Sequence, residues 1–386
     1  MKYKLGDICE IVSGSTPKTS IPEYWDGDKK WITPAEINEE SYIITDSARK
    51  LTELGVKKTG LSPFPEGTVI LSSRAPIGKV AIAGCEMYCN QGFKNLICSE
   101  KINNRYLYWF LKGNTEFLNS LGRGATFKEV SKQIVSNIEI NVPSIAQQEQ
   151  AAIQLETANA IIRFRKQQLQ KLDELVKARF VELFGDESNP YNFPIVTIED
   201  VASVQVGVVI KPAQYYTDAD HGIKTFRSLN IGPMHIKDTD WVYFSEEGNR
   251  KNQKSVLNEN DLVIVRSGAP GTACVITKEY AGCNAVDIII ARPDLGKVNP
   301  YYLCQYTNLP HGKKQIEEGT GGAAQQHFNV GKYNKIRLTL PPLDQQLKFE
   351  KFVEQTDKSK LAIQQSLDKL KTLRKSLMQE YYGQGE

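Results

Sequence analysis

The sequence predicts an α+β protein of two tandem globular domains, which long helices separate and follow. Three observations support this fold class: short β-rich runs bounded by turn residues, two long segments with a seven-residue apolar repeat, and an internal duplication. At 386 residues the chain is long enough for two domains of ordinary size. The two helices are expected to bury their apolar stripes against each other as a coiled coil.

The duplication is an ordered series of matching residues. Leu169 matches Leu367 at an offset of 367 − 169 = 198, and Gly14 matches Gly207 at an offset of 207 − 14 = 193. The landmarks keep the same order in both halves, and the offset grows only by small insertions. Because this period is far too long for a solenoid repeat, the duplicated unit is a globular domain plus a long helix.

The globular parts carry the β-like runs. Those at 67–72 and 79–83 have counterparts at 261–265 and 273–276, and a helical stretch is predicted from Asn104 to Lys112. The predicted segments are a first globular domain at 1–143, a first spacer helix at 144–185, a second globular domain at 186–341 and a second spacer helix at 342–386.

The helical segments are bounded by recognisable signals. Pro143 and Ser144 suit a helix start, and Gly185 suits a stop just past the last helical residue. The predicted seam consists of Leu155, Ile162, Leu169, Leu172, Val176 and Leu183 in the first helix and of Phe349, Val353, Ile363, Leu367, Leu370 and Leu377 in the second, with Thr356 as a polar member. The alternative is that each helix packs separately on its own domain.

Composition limits the function only weakly. Forty-eight basic and 45 acidic residues give a net charge of +3, so a DNA-binding surface would need local segregation of charge. The seven cysteines are expected to be buried small hydrophobes in a reducing compartment. With no long apolar segment and no signal-peptide pattern, we expect a cytoplasmic protein with no membrane partner.

Motifs for catalysis are not recognisable in the sequence. Asn189-Pro190-Tyr191 is similar to a methyltransferase motif but lacks its second proline and lies in a polar linker. Ser73 stands where a phosphate-binding loop before Gly78-Lys79 would need glycine. The histidines show no metal-ligand spacing; they are His221, His235, His311 and His327. We therefore expect a non-enzymatic chain with no cofactor or metal of its own.

Several short motifs, taken in order, carry a family resemblance. They are VSGSTPK at 12–18, PEYW at 22–25, WITPAEI at 31–37, SSRAPIG at 72–78, NQGFK at 90–94, GATF at 124–127 and NVP at 141–143 leading into QQE at 147–149. In that order they resemble the target-recognition domain of Type I restriction–modification specificity subunits. The resemblance covers essentially the whole chain, because the second half repeats the plan more distantly, with VGVV at 206–209 and GAAQ at 322–325.

The resemblance implies a division of labour. Each domain would read one half of an asymmetric, bipartite site on double-stranded DNA. The two helices would pair as an antiparallel coiled coil, which gives a pseudo-two-fold internal repeat, and this pair would fix the unread gap. Two methyltransferase subunits and the restriction subunits, which translocate on DNA, would bind the chain as partners. S-adenosylmethionine, ATP and Mg²⁺ are expected on those partners and not on this chain.

Candidate DNA contacts are lysines and arginines in loops, which commonly bind phosphates and base edges. In the first domain they are Lys18, Lys29, Lys30, Arg74, Lys79, Lys94, Arg123 and Lys128, and in the second Lys211, Lys224, Arg227, Arg250, Lys251, Lys254, Arg266 and Lys332. The loops around Ala75-Pro76 and Ala269-Pro270 occupy equivalent places in the repeat, as do the glycine-rich turns at 121–126 and 319–324. For any single residue, a solvated surface charge is the alternative.

Three other functions remain open at this point. The chain could serve a different restriction class, in which a fused nuclease–methyltransferase is the partner. It could be a stand-alone enzyme with an unrecognised site, or a coiled-coil scaffold that binds only proteins.

Overall fold

The computed structural model describes residues 1–74, 76–124, 128–320 and 328–383, and only the backbone of 319 and 320. The chain divides into two compact units. Unit 1 comprises Met1–Lys166 and the chain from Gln365 onward, and unit 2 comprises Gln167–Gln364. Each unit contains one globular domain and part of both long helices. This division differs from the four consecutive segments predicted above, because the end of the chain belongs with its beginning.

Unit 1 contains short strands and helices ahead of the first long helix. The strands are β1 (Lys2–Lys4), β2 (Cys9–Val12), β3 (Trp25–Ile32), β4 (Ile43–Ile44), β5 (Arg49–Leu51), β6 (Val69–Leu71), β7 (Val80–Ala83), β8 (Tyr88–Cys89), β9 (Asn95–Cys98) and β10 (Glu139–Asn141). The helices are α1 (Leu5–Ile8), α2 (Glu53–Thr59), α3 (Asn104–Gly113), α4 (Thr115–Ser120), α5 (Lys132–Ser136) and the long α6 (Ile145–Phe184).

Unit 2 follows the same plan. Its strands are β11 (Ile195–Thr197), β12 (Ala202–Val206), β13 (Tyr216–Thr217), β14 (Ile223–Phe226), β15 (Ile231–Gly232), β16 (His235–Ile236), β17 (Val242–Phe244), β18 (Leu262–Val265), β19 (Ala273–Val275), β20 (Asn284–Ala285), β21 (Ile288–Pro293) and β22 (Arg337–Thr339). Its helices are α7 (Ile198–Val201), α8 (Glu246–Lys251), α9 (Pro300–Asn308), α10 (Pro310–Thr320), α11 (Val330–Asn334) and the long α12 (Leu343–Tyr382).

The order of strands confirms the duplication. In unit 1 the main sheet runs β2-β9-β6-β7-β4, beside a second sheet β5-β3-β8 and the pair β1-β10. In unit 2 the main sheet runs β12-β21-β18-β19, beside a second sheet β13-β17-β14-β20 and the pair β11-β22. In each second sheet one strand has a parallel and an antiparallel neighbour. In unit 1, β3 pairs in parallel with β8 and antiparallel with β5. In unit 2, β14 pairs in parallel with β20 and antiparallel with β17. The two halves therefore share the same core strand order, although β4 extends the main sheet only in unit 1 and β13 extends the second sheet only in unit 2.

A matched pair of glycines has a steric reason. A Cβ atom on Gly14 would lie 1.7 Å from the backbone oxygen of Cys89, and one on Gly207 would lie 2.5 Å from that of Ala285. Cys89 and Ala285 end β8 and β20, which are equivalent strands. Both glycines thus allow the chain after the first main-sheet strand to pass directly against the second sheet.

Within unit 1 the two long helices pair in antiparallel fashion. Arg374 Nη1 donates to Asn159 Oδ1 at 2.9 Å, and the Tyr381 hydroxyl, further along α12, bonds to Gln154, which lies earlier on α6. The Tyr382 hydroxyl also donates to the backbone oxygen of Tyr106 in α3 at 2.9 Å. The end of α12 is therefore fixed both to α6 and to the first globular domain.

Unit 2 contains the remaining halves of both helices. Lys360 Nζ lies 2.7 Å from Asp173 Oδ1, and the rings of Phe349 and Phe180 pack edge to face at 5.3 Å. Contact positions again rise along one helix as they fall along the other. The prediction of an antiparallel coiled coil is confirmed within each unit.

The predicted seam residues all face inward. Leu155, Ile162, Val176, Phe349, Val353 and Leu367 are buried, and Leu169, Leu172, Leu183, Ile363, Leu370 and Leu377 are half-buried. The polar seam residue Thr356 is buried as well, and its hydroxyl donates to the Phe352 carbonyl at 2.9 Å. The start and stop signals hold: α6 follows Ser144 directly, and Gly185 adopts φ 77° just past its end.

A buried glutamine joins each globular domain to its helix. The Gln148 side chain accepts from the Asn103 N–H at 2.8 Å and donates to the carbonyls of Lys101 and Pro143. Gln346 repeats the pattern with Asn299, Lys297 and Pro341. The duplicated Gln-Gln motif is therefore structural, because its second glutamine satisfies buried backbone groups just before α3 and α9.

We expect Gln148→Ala to lower the free energy of unfolding of unit 1 by about 3 kcal/mol, since three backbone groups would lose their partner. Gln150→Ala is the matched control, because Gln150 is exposed on the same turn of α6 and should change stability by less than about 0.5 kcal/mol. Urea unfolding of both variants measures the difference. Equal stability of the two variants would show that the hydrogen bonds of Gln148 do not stabilise unit 1.

The cysteines largely follow expectation. All seven are free thiols; Cys9, Cys89, Cys274, Cys283 and Cys304 are buried, and Cys85 and Cys98 are half-buried. Among the described helices, none combines the length and apolar character needed to cross a membrane.

Candidate nucleic-acid interface

In unit 1 several chain segments meet at Glu129. Its backbone forms two hydrogen bonds of 3.0 Å with Arg123, closing the loop between them, and it also bridges to Arg74. Lys128 is exposed beside it, as is Arg123, while Arg74 is half-buried. We call Arg74, Arg123 and Lys128 the cationic cluster. Arginine and lysine side chains are the groups that commonly bind the phosphates of DNA.

Two serines, whose role sequence reasoning missed, shape the turn that carries Arg74. The Ser72 hydroxyl donates to the Pro76 carbonyl at 2.7 Å and accepts from the Lys79 N–H at 2.8 Å. The Ser73 backbone bonds to Gly92 and Val130, so the turn is joined to two further segments. Both serines are fully buried. The two adjacent serines of the SSRAPIG motif were visible in the sequence, but their hydrogen-bond partners could not be predicted from it.

Lys94 also contacts Glu129, but unlike the residues of the cationic cluster it is buried. It is only 7% exposed, and its ammonium lies 3.1 Å from Glu129 Oε1 and 3.3 Å from Ser73 Oγ. Removing it from Glu129 would leave a buried charge without a partner, which is costly. Lys94 therefore anchors the base of the loop in this structure, and a direct contact of its ammonium with DNA stays a prediction.

The other unit 1 candidates are more scattered. Lys79 Nζ donates to the Pro34 carbonyl at 2.8 Å, and Lys30 Nζ to the Thr45 carbonyl at 2.7 Å, so both hold neighbouring loops in place. Lys29 pairs with the adjacent Asp28 at 3.2 Å, and this hydrogen bond raises the pKa of the lysine. Lys18 is exposed. None of these four is brought into the cationic cluster by a contact among the described residues.

Arg266 of unit 2 is not equivalent to Arg74, although both precede matching turns. Its side chain is 14% exposed, and its Nη1 lies 2.5 Å from Asp287 Oδ1. Its Nε donates to the Phe328 carbonyl at 3.1 Å, at the far end of the glycine-rich segment. Arg266 therefore resembles Lys94: each side chain is largely covered and pairs with a carboxylate of its own unit.

Lys224 lies on β14 of the second sheet, and Arg227 follows this strand directly. Lys224 Nζ is 2.9 Å from Asp238 Oδ1, a hydrogen bond that raises the pKa of this lysine, and lies 5.0 Å from the centre of the Trp241 ring. Arg227 Nη2 donates to the Asp240 carbonyl at 2.5 Å. Its Nε is buried and has no hydrogen-bond partner among the described residues.

The remaining unit 2 candidates are near the surface. Lys211, Arg250, Lys251 and Lys254 are exposed and Lys332 is half-buried. Lys251 pairs with Glu247 at 2.6 Å, one turn earlier on α8. Lys211 has φ 45°, an uncommon left-handed conformation that directs the chain into a short 3-10 helix. Unit 2 thus presents a different set of cations from unit 1 on the same topology.

Some predicted positions lie outside the described residues. These are Ala75 of the first turn, residues 125–127 of the GATF motif, and residues 321–327, which include most of the second glycine-rich run and His327. Among the described residues there is no group of three or more histidine, cysteine, aspartate or glutamate side chains arranged to hold a metal ion.

The duplicated domain-plus-helix architecture defines the class of protein, and comparison with known families identifies it. A family model for the Type I restriction modification DNA specificity domain matches residues 1–174 and 176–372. The chain belongs to this family of Type I specificity subunits. The resemblance stated from the sequence motifs is therefore confirmed.

Individual relatives agree with this assignment. The specificity subunit of the Type I restriction enzyme MjaIX, from Methanocaldococcus jannaschii, is 28% identical over 97% of this chain and 90% of the relative. The specificity subunit of the EcoprrI enzyme, from Escherichia coli, is 21% identical over 92% of this chain and 86% of the relative.

Solved structures share the fold. The S subunit of a Type I restriction–modification system from M. genitalium matches with a TM-score of 0.60 at 13% identity, covering 100% of this chain and 96% of that one. A chain from a structure that addresses complex assembly in the type I system matches with a TM-score of 0.61 at 17% identity, covering 99% and 97%.

Proposed function

We propose that this specificity subunit binds a bipartite, asymmetric site on double-stranded DNA, with each globular domain reading one half. The observation that carries the proposal is the repetition of one topology with two different sets of surface cations. A shared frame explains why both domains can approach DNA in the same way. Different side chains on that frame explain why they would recognise different bases.

We further propose that the long helices determine the gap between the two half-sites. Each helix has 40 residues and therefore extends over about 60 Å. Each passes from one compact unit into the other without a break in its helical residues. A continuous helix is a stiff connection, so its length rather than a flexible linker would determine the spacing.

The partners follow from the internal repeat and from the family. Because the chain repeats one domain-plus-helix plan, two copies of one methyltransferase subunit can bind a single chain. Restriction subunits complete the proposed complex, and one structural relative comes from work on the assembly of such a system. In this proposal S-adenosylmethionine, ATP and Mg²⁺ bind to those partners, and this chain determines which DNA sequence is recognised.

We expect the purified chain to transfer no methyl groups, cut no DNA and hydrolyse no ATP. The reason is the lack of recognisable cofactor and phosphate-binding motifs in the sequence. Radiolabelled methyl transfer should appear only after a methyltransferase subunit is added. Turnover by the chain alone, abolished by a substitution within it, would overturn this part of the proposal.

We expect Arg123→Ala to weaken recognition of the first half-site and to leave the second unchanged. If Arg123 contacts phosphate, affinity falls for all sequences and the salt dependence decreases by roughly one charge; if it reads a base, about 1–3 kcal/mol of discrimination is lost at one position. Methylation of a randomised bipartite library by the reconstituted complex separates these results.

Arg250→Ala is the matched control for Arg123, since it removes an exposed arginine from unit 2. It should not alter the first half-site. Loss of discrimination in both halves from Arg123→Ala alone would contradict independent reading by the two domains.

A further inference from the structure

Two cysteines of unit 1 face each other across neighbouring strands. Cys9 of β2 is the direct partner of Cys98 of β9 in an antiparallel pairing. Side chains at such partner positions project from the same face of the sheet. The neighbouring Cys98 thiol, together with burial, raises the pKa of Cys9 well above its usual value.

The position of this pair in the ladder suits a disulfide. The neighbouring pair Ile8 and Ser99 is hydrogen-bonded, with the Ser99 N–H donating to the Ile8 carbonyl at 3.0 Å. Hydrogen-bonded and non-hydrogen-bonded pairs alternate in an antiparallel ladder, so Cys9 and Cys98 form a non-hydrogen-bonded pair. Cα atoms in such pairs are about 4.5 Å apart. That distance lies within the roughly 4.4–6.8 Å range of disulfides.

The two thiols differ in their access to solvent. Cys9 is 7% exposed, whereas Cys98 is half-buried at the end of β9, where the next residues are exposed. An oxidant can therefore reach Cys98 first and leave Cys9 as the second, protected thiol. The corresponding strands of unit 2 pair Ala202 with Pro293 and Ser203 with Arg292, so that unit has no equivalent.

We propose that Cys9 and Cys98 form a reversible, oxidation-sensitive dithiol that peroxides convert to a disulfide. The Cys98 sulfur attacks one oxygen of hydrogen peroxide, the O–O bond breaks, and sulfenic acid and water are formed. The Cys9 sulfur then attacks the Cys98 sulfur; the S–S bond forms, the S–O bond breaks, and the leaving hydroxide takes the remaining proton as a second water. The two thiols lose two electrons in total, and the peroxide gains them.

The bond would act on one domain only. It would join β2, which lies at the edge of the main sheet, to its neighbour β9 and thereby close a loop of about 90 residues. Because such a link restricts the unfolded chain, oxidised unit 1 should unfold at a higher temperature than reduced unit 1. Unit 2 should unfold at the same temperature in both forms.

The test uses the full chain, reduced and then treated with hydrogen peroxide before the remaining thiols are alkylated and the protein is digested. Mass spectrometry should find a peptide that links Cys9 to Cys98 and disappears on reduction with dithiothreitol. Cys85→Ser, which removes the other half-buried thiol, is the matched control and should leave the linked peptide unchanged.

Cys9→Ser gives the complementary result. Without its partner, Cys98 should accumulate as sulfenic acid that dimedone traps, and no linked peptide should form. Two outcomes overturn the proposal: wild-type protein in which both thiols stay reduced under peroxide, or one in which Cys98 is trapped by dimedone as readily as in Cys9→Ser.

Discussion

Inserting four residues into each long helix is expected to lengthen the unread gap of the DNA site. We place the insertions after Lys166 in α6 and after Gln364 in α12, where the two compact units divide. Four helical residues add about 6 Å, which is nearly two base-pair steps of about 3.4 Å. The half-site sequences themselves should not change, because the globular domains are untouched.

The gap is measured by sequencing the DNA that the reconstituted methyltransferase complex modifies. The control replaces four existing residues at each position with the inserted sequence, so that composition changes but length does not. Its gap should equal that of the wild type. If the complex with both insertions still methylated sites with the original gap, the helices would not determine the gap.

Truncating one buried ring in the helix pair is expected to cause a large loss of stability. Phe349 of α12 is completely buried and packs against the rings of Phe180 at 5.3 Å and Phe184 at 5.9 Å. Phe349→Ala should lower the free energy of unfolding of unit 2 by about 3–5 kcal/mol, because it leaves a cavity among these aromatic rings.

Leu361→Ala provides the control on the same helix. Leu361 is 61% exposed, so its truncation should change the free energy of unfolding by less than about 0.5 kcal/mol. Urea unfolding followed by circular dichroism measures both variants. If Phe349→Ala were as stable as Leu361→Ala, the assigned core of the helix pair would be wrong.

The long helices were predictable because their signal is local. A heptad repeat, a proline at the start and a glycine past the end are read directly from neighbouring residues, and Gly185 indeed takes the left-handed conformation that the stop requires. The pairing of the two helices was also predictable, because two matched stripes in one chain can bury each other, and its antiparallel direction was implied by the family resemblance. The division into two compact units was not predictable, because it depends on which part of α12 packs against which part of α6.

The candidate site was less predictable, because burial and pairing depend on partners far apart in sequence. Lys94 and Arg266 look like loop cations in the sequence, but their largely covered side chains pair with the partly exposed carboxylates of Glu129 and Asp287. The cationic cluster requires the backbone pairing at Glu129, for which the sequence holds no signal. The internal repeat correctly matched the two turns but could not show that their arginines differ.

The most direct test of the central claim is to sequence modified DNA after adding this chain to its methyltransferase partner. The proposal predicts methylation at a split motif, with two different half-sites separated by a fixed gap, and none of it when the chain is omitted. Methylation of the same motif without this chain, or a single continuous motif in its presence, would contradict the proposal that two domains each read one half of the site.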